Sequence, residues 1–185
     1  MLEAAAATKT HPRRTFLVVS LLIQYPIRNA DLRRMELGDI DWSDSTLTIR
    51  AEKNDALRVY PLTESMRLAI ADYLRSERPK SDDPHLILST KPPFLPVVDS
   101  SSLSNVVKRV AAEAGIDAKG RRIGTHMLRR SVATTLMEKD VPYPVISEML
   151  MHEANGSAFS QTTMSYLRAD IKALRSVALE VPHAL

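Results

Sequence analysis

Cysteine is absent from this chain of 185 residues. That absence excludes disulfide bonds, zinc sites with cysteine ligands and thiol catalysis, and it is compatible with a reducing cytoplasm. Long apolar runs are absent too, since the strongest one, residues 16–23, is far shorter than a membrane span. Because the N-terminus also lacks the basic-then-apolar pattern of a signal peptide, we expect a cytoplasmic protein with no membrane partner.

The composition is that of an ordinary globular protein. Hydrophobic residues make up 44% of the chain and charged residues 25%, which is enough to bury a real core. The length fits one domain, or one domain with a short appendage. Residues 1–13 are rich in alanine and then polar, without an apolar period, so we expect a linker or disordered start followed by one domain over residues 14–185.

The hydrophobic pattern predicts a mainly α fold with a small antiparallel three-stranded sheet. Residues 14–24 are strongly apolar and predict a buried helix. Alternating residues predict strands at Thr46–Ala51 and Leu57–Pro61, and a short third strand at Leu86–Leu88. Further helices are predicted from Thr63 onward and over residues 28–37, 103–114, 126–140, 145–151 and 161–179.

Positive charge is concentrated in one segment. The net charge is only +3, but residues 119–130 carry five cations and no acidic residue. Such a cluster favours an anionic partner such as nucleic acid, although a solvated loop is the plain alternative. The candidate DNA-binding residues are Lys119, Arg121, Arg122 and Arg130.

His126 and Arg129 lie three residues apart at the start of a predicted helix, with Thr125 as the expected N-cap. The N-terminus of a helix offers free N–H groups and partial positive charge, which suit a phosphate. A neutral imidazole there suits a general base. The alternative is an exposed histidine beside a solvated arginine.

Arg28 follows a proline turn and precedes an acidic residue, Asp31. A guanidinium can hold two phosphate oxygens at once, and Asp31 can orient it; the alternative is a structural ion pair between the two. Lys53 lies at the tip of the predicted hairpin. Most lysines in that position are solvated, but one near DNA can give a proton to a leaving alkoxide.

Two further residues have reactive side chains in suggestive places. His152 follows a predicted helix, where a histidine often acts as a C-cap. Tyr166 lies early in the last helical region, in a polar context that differs from those of the other tyrosines. A half-buried helical tyrosine remains the alternative for Tyr166.

Taken in order, these residues resemble the tyrosine recombinases, also called the phage integrase family. The resemblance covers residues 14–170. The segments that carry it are 25–32, with Arg28 followed by an acidic residue; 37–42, leading into the hairpin; 53 and 58–62; 125–134, with the His-x-x-Arg pattern; 148–152; and Tyr166.

Three departures from the family pattern stand out. Pro26 and Met151 occupy positions where the family usually has glycine. The segment Glu153–Phe159 lengthens the interval between His152 and Tyr166 by several residues. We therefore expect the tyrosine to sit on a longer tether that is mobile before DNA binds.

The resemblance implies the catalytic fold of these recombinases and a metal-independent transesterification without cofactors. By analogy with the family, Tyr166 attacks the scissile phosphate and forms a 3′-phosphotyrosyl intermediate. Arg28, Arg129 and His152 contact the non-bridging oxygens. The general acid is Lys53, and His126 is the base or proton relay.

The resemblance also implies partners. They are double-stranded DNA and other recombinase protomers, forming a tetramer on DNA and weakly associated or monomeric without it. Enzymes of this family carry an N-terminal core-binding domain, which we do not expect in this chain. Two alternative functions stay open: relaxation of DNA like a type IB topoisomerase, and DNA binding without catalysis.

Overall fold

The computed structural model describes residues 1–52, 55, 57–117, 120 and 122–150. Within them, helices surround one small antiparallel sheet, which confirms the predicted fold class. The helices are α1 (Leu2–Ala7), α2 (Pro12–Gln24), α3 (Asn29–Arg34), α4 (Glu64–Ser76), α5 (Ser100–Glu113), α6 (Thr125–Glu138) and α7 (Tyr143–Met149). The strands are β1 (Ile40–Asp41), β2 (Thr46–Arg50) and β3 (Leu57–Pro61).

Helix α2 forms the centre of the core. Its apolar residues between Leu17 and Leu22 are fully buried, as the apolar run predicted, and it packs against α1, α4, α5 and α6. The helix ends at Gln24 because Pro26 follows and forces Tyr25 into extended geometry. The end of the central helix therefore delivers the chain directly to Arg28.

The structure differs from the expectation at the N-terminus. Residues 2–7, which we expected within a linker or disordered start, form helix α1. Ala5 is fully buried in the core, and α1 packs against α2 and α5. Alanine is the best helix former, and its small side chain allows the close approach that gives this short helix a place in the core.

The sheet has the order β1-β2-β3, with both pairs antiparallel. Leu47 of β2 pairs with Ile40 on one side and with Tyr60 on the other, and all three side chains are buried. The third strand is thus β1, and the prediction of a strand at Leu86–Leu88 is wrong. That segment is fully buried, but its one bridge among the described residues joins Leu88 to Pro96, and the neighbouring His85 forms another with Glu36.

The predicted helix boundaries differ from the observed ones by up to three residues. The cap predicted at Thr63 is confirmed, since its hydroxyl accepts a hydrogen bond from the Met66 N–H at 3.3 Å. At α6, the N-cap is Gly124 and Thr125 is the first helical residue, so the prediction of Thr125 as N-cap is wrong. No helix in the described ranges is both long and apolar enough to cross a membrane.

Candidate active site

Arg28 is the N-cap residue of α3 and is half-buried. Its backbone is fixed by Asp31, whose carboxylate is almost fully buried and accepts the Arg28 N–H at 2.9 Å. This is the reciprocal half of a capping box, in which an acidic residue at the third helical position binds the N-cap backbone. Asp31 therefore sets where the Arg28 side chain begins.

The same carboxylate also holds the base of the hairpin. The second oxygen of Asp31 accepts the Glu52 N–H at 3.0 Å. Charge-assisted bonds of this kind are about twice as strong as neutral ones. Lys53 itself lies outside the described residues. Asp31 nevertheless joins the preceding residue, Glu52, to the turn that contains Arg28 and opens α3, here called the Arg28 turn.

His126 and Arg129 lie one turn apart at the start of α6, in different environments. His126 is exposed, whereas Arg129 is 5% exposed. The Arg129 guanidinium donates to two backbone carbonyls, those of Pro26 and Leu150. One side chain therefore ties the Arg28 turn and the end of α7 to α6.

The electrostatics of Arg129 are unusual for a buried cation. Within the described part of the chain, both of its hydrogen bonds go to carbonyls and neither goes to a carboxylate. Burial, and after it the positive charge of Arg28, lower the pKa of Arg129 to about 10 against the opposing effects of Asp31 and Tyr60. Arg129 is still protonated at neutral pH, so the two arginines are interacting cations, and a bound anion would relieve the repulsion that Asp31 offsets only in part.

Two buried tyrosines complete the framework. The Tyr60 hydroxyl donates to the Met149 carbonyl at 2.7 Å, and the Tyr25 hydroxyl donates to the Pro61 carbonyl at 3.0 Å. Their rings meet edge to face with centroids 5.5 Å apart. The sequence predicted no role for Tyr60 at the end of α7. The one signal for it was a tyrosine at a position where phenylalanine would pack equally well.

We expect Tyr60→Phe to lower the free energy of unfolding by about 1–2 kcal/mol, because it leaves the buried Met149 carbonyl without its donor. Tyr25→Phe is the matched variant, since it removes a similar bond to a carbonyl that does not belong to α7. Urea denaturation measures both losses. Hydrogen exchange should then be faster at the Leu150 amide in Tyr60→Phe alone; equal exchange in both variants would contradict this assignment.

A positively charged groove follows one face of α6. It has a volume of about 1050 Å³, and α5 contributes Lys108 to its lining. Arg122 and Arg130, both predicted to bind DNA, line it and are exposed. His126 lies at one end and Glu138 is the carboxylate among the lining residues. The groove is therefore suited to a polyanion.

The structure thus brings together part of the predicted set. Arg28 and Arg129 are close enough to interact electrostatically, and His126 lies one turn before Arg129. The remaining predicted residues lie outside the described residues: Lys53, Lys119, Arg121, His152 and Tyr166. The segment Glu153–Phe159, expected to be mobile, lies outside them as well.

Comparison with known proteins gives a consistent result. The model of the phage integrase family matches residues 1–172. The Sinorhizobium fredii protein named "Putative integrase/recombinase y4gC" is 35% identical over 169 residues, covering 91% of this chain and 83% of that protein. Tyrosine recombinase XerA of Pyrococcus furiosus is 28% identical over 162 residues, covering 88% of this chain and 52% of XerA, about half of its length.

Among solved structures, the XerH site-specific recombinase in a pre-cleavage complex with its difH substrate has a TM-score of 0.69. It is 20% identical, and the match covers 96% of this chain and 49% of that one. At that level of identity the likeness concerns the fold. The helices and sheet described above therefore share the fold of that recombinase structure.

Proposed function

The chain belongs to the phage integrase family, and on that premise we propose that it cleaves and rejoins DNA in site-specific recombination, with a tyrosine nucleophile and without a metal ion. The observation that carries the proposal is the pair of arginines. Arg129 is buried, its hydrogen bonds among the described residues go to carbonyls, and the charge of Arg28 acts on it more strongly than the opposing charge of Asp31. Such a pair is costly unless an anion binds there.

A phosphodiester is the anion that fits this pair. Attack on phosphorus places additional negative charge on the two non-bridging oxygens. Preformed donors aimed at that charge lower the barrier most when they need no rearrangement. Arg129 meets that condition, because its guanidinium is already held by the carbonyls of Pro26 and Leu150. In this proposal Arg28 supplies the second guanidinium that binds the phosphate oxygens.

The proposal assigns the remaining steps to the other predicted residues. The Tyr166 phenol oxygen attacks phosphorus and the bond to the 5′ oxygen breaks, which leaves a 3′-phosphotyrosyl link and a free 5′ hydroxyl. Lys53 gives a proton to the departing 5′ oxygen, and His126 accepts the proton of the phenol. His152 donates to a non-bridging oxygen. Attack by a second 5′ hydroxyl reverses each step.

The partners follow from the same chemistry. Double-stranded DNA would lie along the groove beside α6, with Arg122 and Arg130 on its phosphates. Lys119 and Arg121 would extend that contact. Recombination exchanges two duplexes, so other protomers must assemble on DNA, as a tetramer in this proposal. The curated relatives are named integrases and recombinases, which favours strand exchange over relaxation by a topoisomerase.

The decisive test is to trap the covalent adduct between the protein and DNA, with a library of duplexes because the recognised DNA sequence is not known. A duplex library with a randomised central region and a nick near it is incubated with the protein, and strands that stay attached after denaturation are sequenced. We expect a defined sequence to be enriched, in EDTA as well as without it. Absence of any attached strand with the full-length protein, or attachment only when divalent metal is present, would refute the proposal.

Salt dependence tests the groove. We expect the logarithm of the association constant for a duplex to fall linearly with the logarithm of the salt concentration. Arg130→Ala should make the slope of that line shallower by the amount expected for the loss of about one phosphate contact. Arg75→Ala removes the same charge from α4, outside the residues that line the groove. Fluorescence anisotropy across a salt series should show no change in slope for Arg75→Ala. Equal slopes for all three proteins would show that DNA does not lie in this groove.

A further inference from the structure

Asn29 links three parts of the site. It is the first residue of α3 and follows Arg28 directly. Its amide nitrogen donates to the Ser100 carbonyl at 3.0 Å and to the Ser104 hydroxyl at 3.3 Å, both in α5. The same nitrogen lies 3.5 Å from the hydroxyl of Thr125, the first residue of α6. One side chain thus connects the starts of three helices.

The orientation of this amide is fixed from both sides. The Arg33 Nε–H can only donate, and it meets the Asn29 oxygen at 3.1 Å. The Ser100 carbonyl can only accept, so it requires the amide nitrogen. Arg33 is itself held by the Val98 carbonyl. A flipped amide would face two mismatched partners, and the arrangement is therefore unique.

The site needs such a link because its two arginines repel each other. Arg129 is held in place by two carbonyls, and the charge of Arg28 acts on it. The Arg28 turn opens a helix of six residues, which has few hydrogen bonds of its own. Arg129 ties the turn to α6 through the Pro26 carbonyl, but that bond does not hold the start of α3 itself. Without a second tie, the start of α3 can shift relative to α6 and relieve the repulsion.

We propose that Asn29 is a positioning residue that fixes the distance between Arg28 and the start of α6, and so sets the spacing of the two guanidinium groups before DNA binds. The inference rests on the proposed function. Asn29 touches no reacting atom; it acts through Thr125 and the first turn of α5. A shift of about 1 Å in a catalytic group can cost about 10²-fold in rate, so this tie should appear in the cleavage step.

Asn29→Leu is the informative change, because leucine has a similar shape, adds no charge and removes all of the polar contacts of the side chain. Asn105→Leu is the matched control, because Asn105 is an exposed residue of α5 that is not among those lining the groove. With protein saturating over a nicked duplex, we expect Asn29→Leu to cleave roughly 10–100-fold more slowly. Its affinity for the duplex should stay within about threefold of the control.

Thr125→Val tests the route by which Asn29 acts. If Asn29 acts through its contact with the Thr125 hydroxyl, a double variant that combines Asn29→Leu with Thr125→Val should cleave at the rate of Asn29→Leu alone, within about twofold. Multiplied losses would show independent effects and overturn the proposal. Should Asn29→Leu fail to fold, Thr125→Val removes the same contact from the other side and must itself slow cleavage.

A measurement without DNA separates this inference from the proposed function. The Leu128 N–H is bonded to the Gly124 carbonyl in the first turn of α6, and the Lys139 N–H is bonded to the Thr135 carbonyl at its end. We expect Asn29→Leu to speed hydrogen exchange at least about tenfold at Leu128 and not at Lys139. If the wild-type chain forms no adduct with DNA but this difference in exchange appears, the proposed function is refuted, whereas the structural role of Asn29 at the start of α6 is supported. Unchanged exchange at Leu128, or cleavage by Asn29→Leu within threefold of the wild type, overturns the inference.

Discussion

Replacement of Tyr166 by phenylalanine is expected to abolish the covalent adduct with DNA and to leave DNA binding unchanged. The change removes only the phenol oxygen, which is the atom that attacks phosphorus in the proposed reaction. If Tyr166 is the nucleophile, the loss should exceed about 10³-fold, the scale seen when a catalytic nucleophile is removed. Denaturing gels measure the adduct, and anisotropy measures the binding.

The structure makes most of the other tyrosines unsuitable as the nucleophile. Of the five tyrosines, Tyr25, Tyr60 and Tyr73 are buried in the core. Burial also raises the pKa of Tyr25 and of Tyr73, which makes their phenols poorer nucleophiles. Tyr143→Phe is therefore the control that matters. An adduct that survives in Tyr166→Phe and disappears in Tyr143→Phe would move the nucleophile to Tyr143.

Replacement of Arg129 by lysine is expected to slow cleavage about 10²–10³-fold, as removal of one oxyanion donor does in other enzymes. Lysine keeps the positive charge but has no planar fork. Its single nitrogen cannot reproduce the geometry in which two separate guanidinium nitrogens bind the Pro26 and Leu150 carbonyls. Stability should fall as well, by about 2 kcal/mol, because a buried carbonyl loses a charged donor.

Arg14→Lys separates the two effects of that change. Arg14 is also buried and donates to a backbone carbonyl, that of Leu88, at 3.2 Å. It belongs to α2 and lies at the opposite end of that helix from the Arg28 turn. We expect a comparable loss of stability in Arg14→Lys, measured by thermal denaturation, with normal cleavage at a permissive temperature. Equal loss of cleavage in both variants would mean that Arg129 serves stability alone.

The site was partly predictable from the sequence. The order of Arg28, His126 and Arg129 within recognisable segments indicated the family, which the family match confirms. The structure shows in addition that the Asp31 carboxylate binds the backbone N–H groups of Arg28 and Glu52, which the sequence did not predict. Almost every residue has a backbone N–H group, so the amino-acid type at a position does not reveal that a carboxylate binds there.

The missed features have a common cause. Leu86–Leu88 looked like a strand because local composition does not record which neighbours supply its hydrogen bonds; the structure gives the Leu86 N–H to the Met35 carbonyl instead. Helix α1 was missed because a short alanine-rich segment has no apolar stripe, and its place in the core is decided by the helices against which it packs. Both errors concern contacts between distant parts of the chain.

The sequence by itself determined the helices with clear apolar periods, the hairpin and the family, because periodicity, turns and motif order are local properties of a chain. Only the tertiary structure decided which groups hold the arginine pair. Arg129 meets the carbonyl of a residue 103 positions away, and Tyr60 meets one 89 positions away. Every residue has a carbonyl, so the choice among them depends on how the helices pack and not on which amino acid is present.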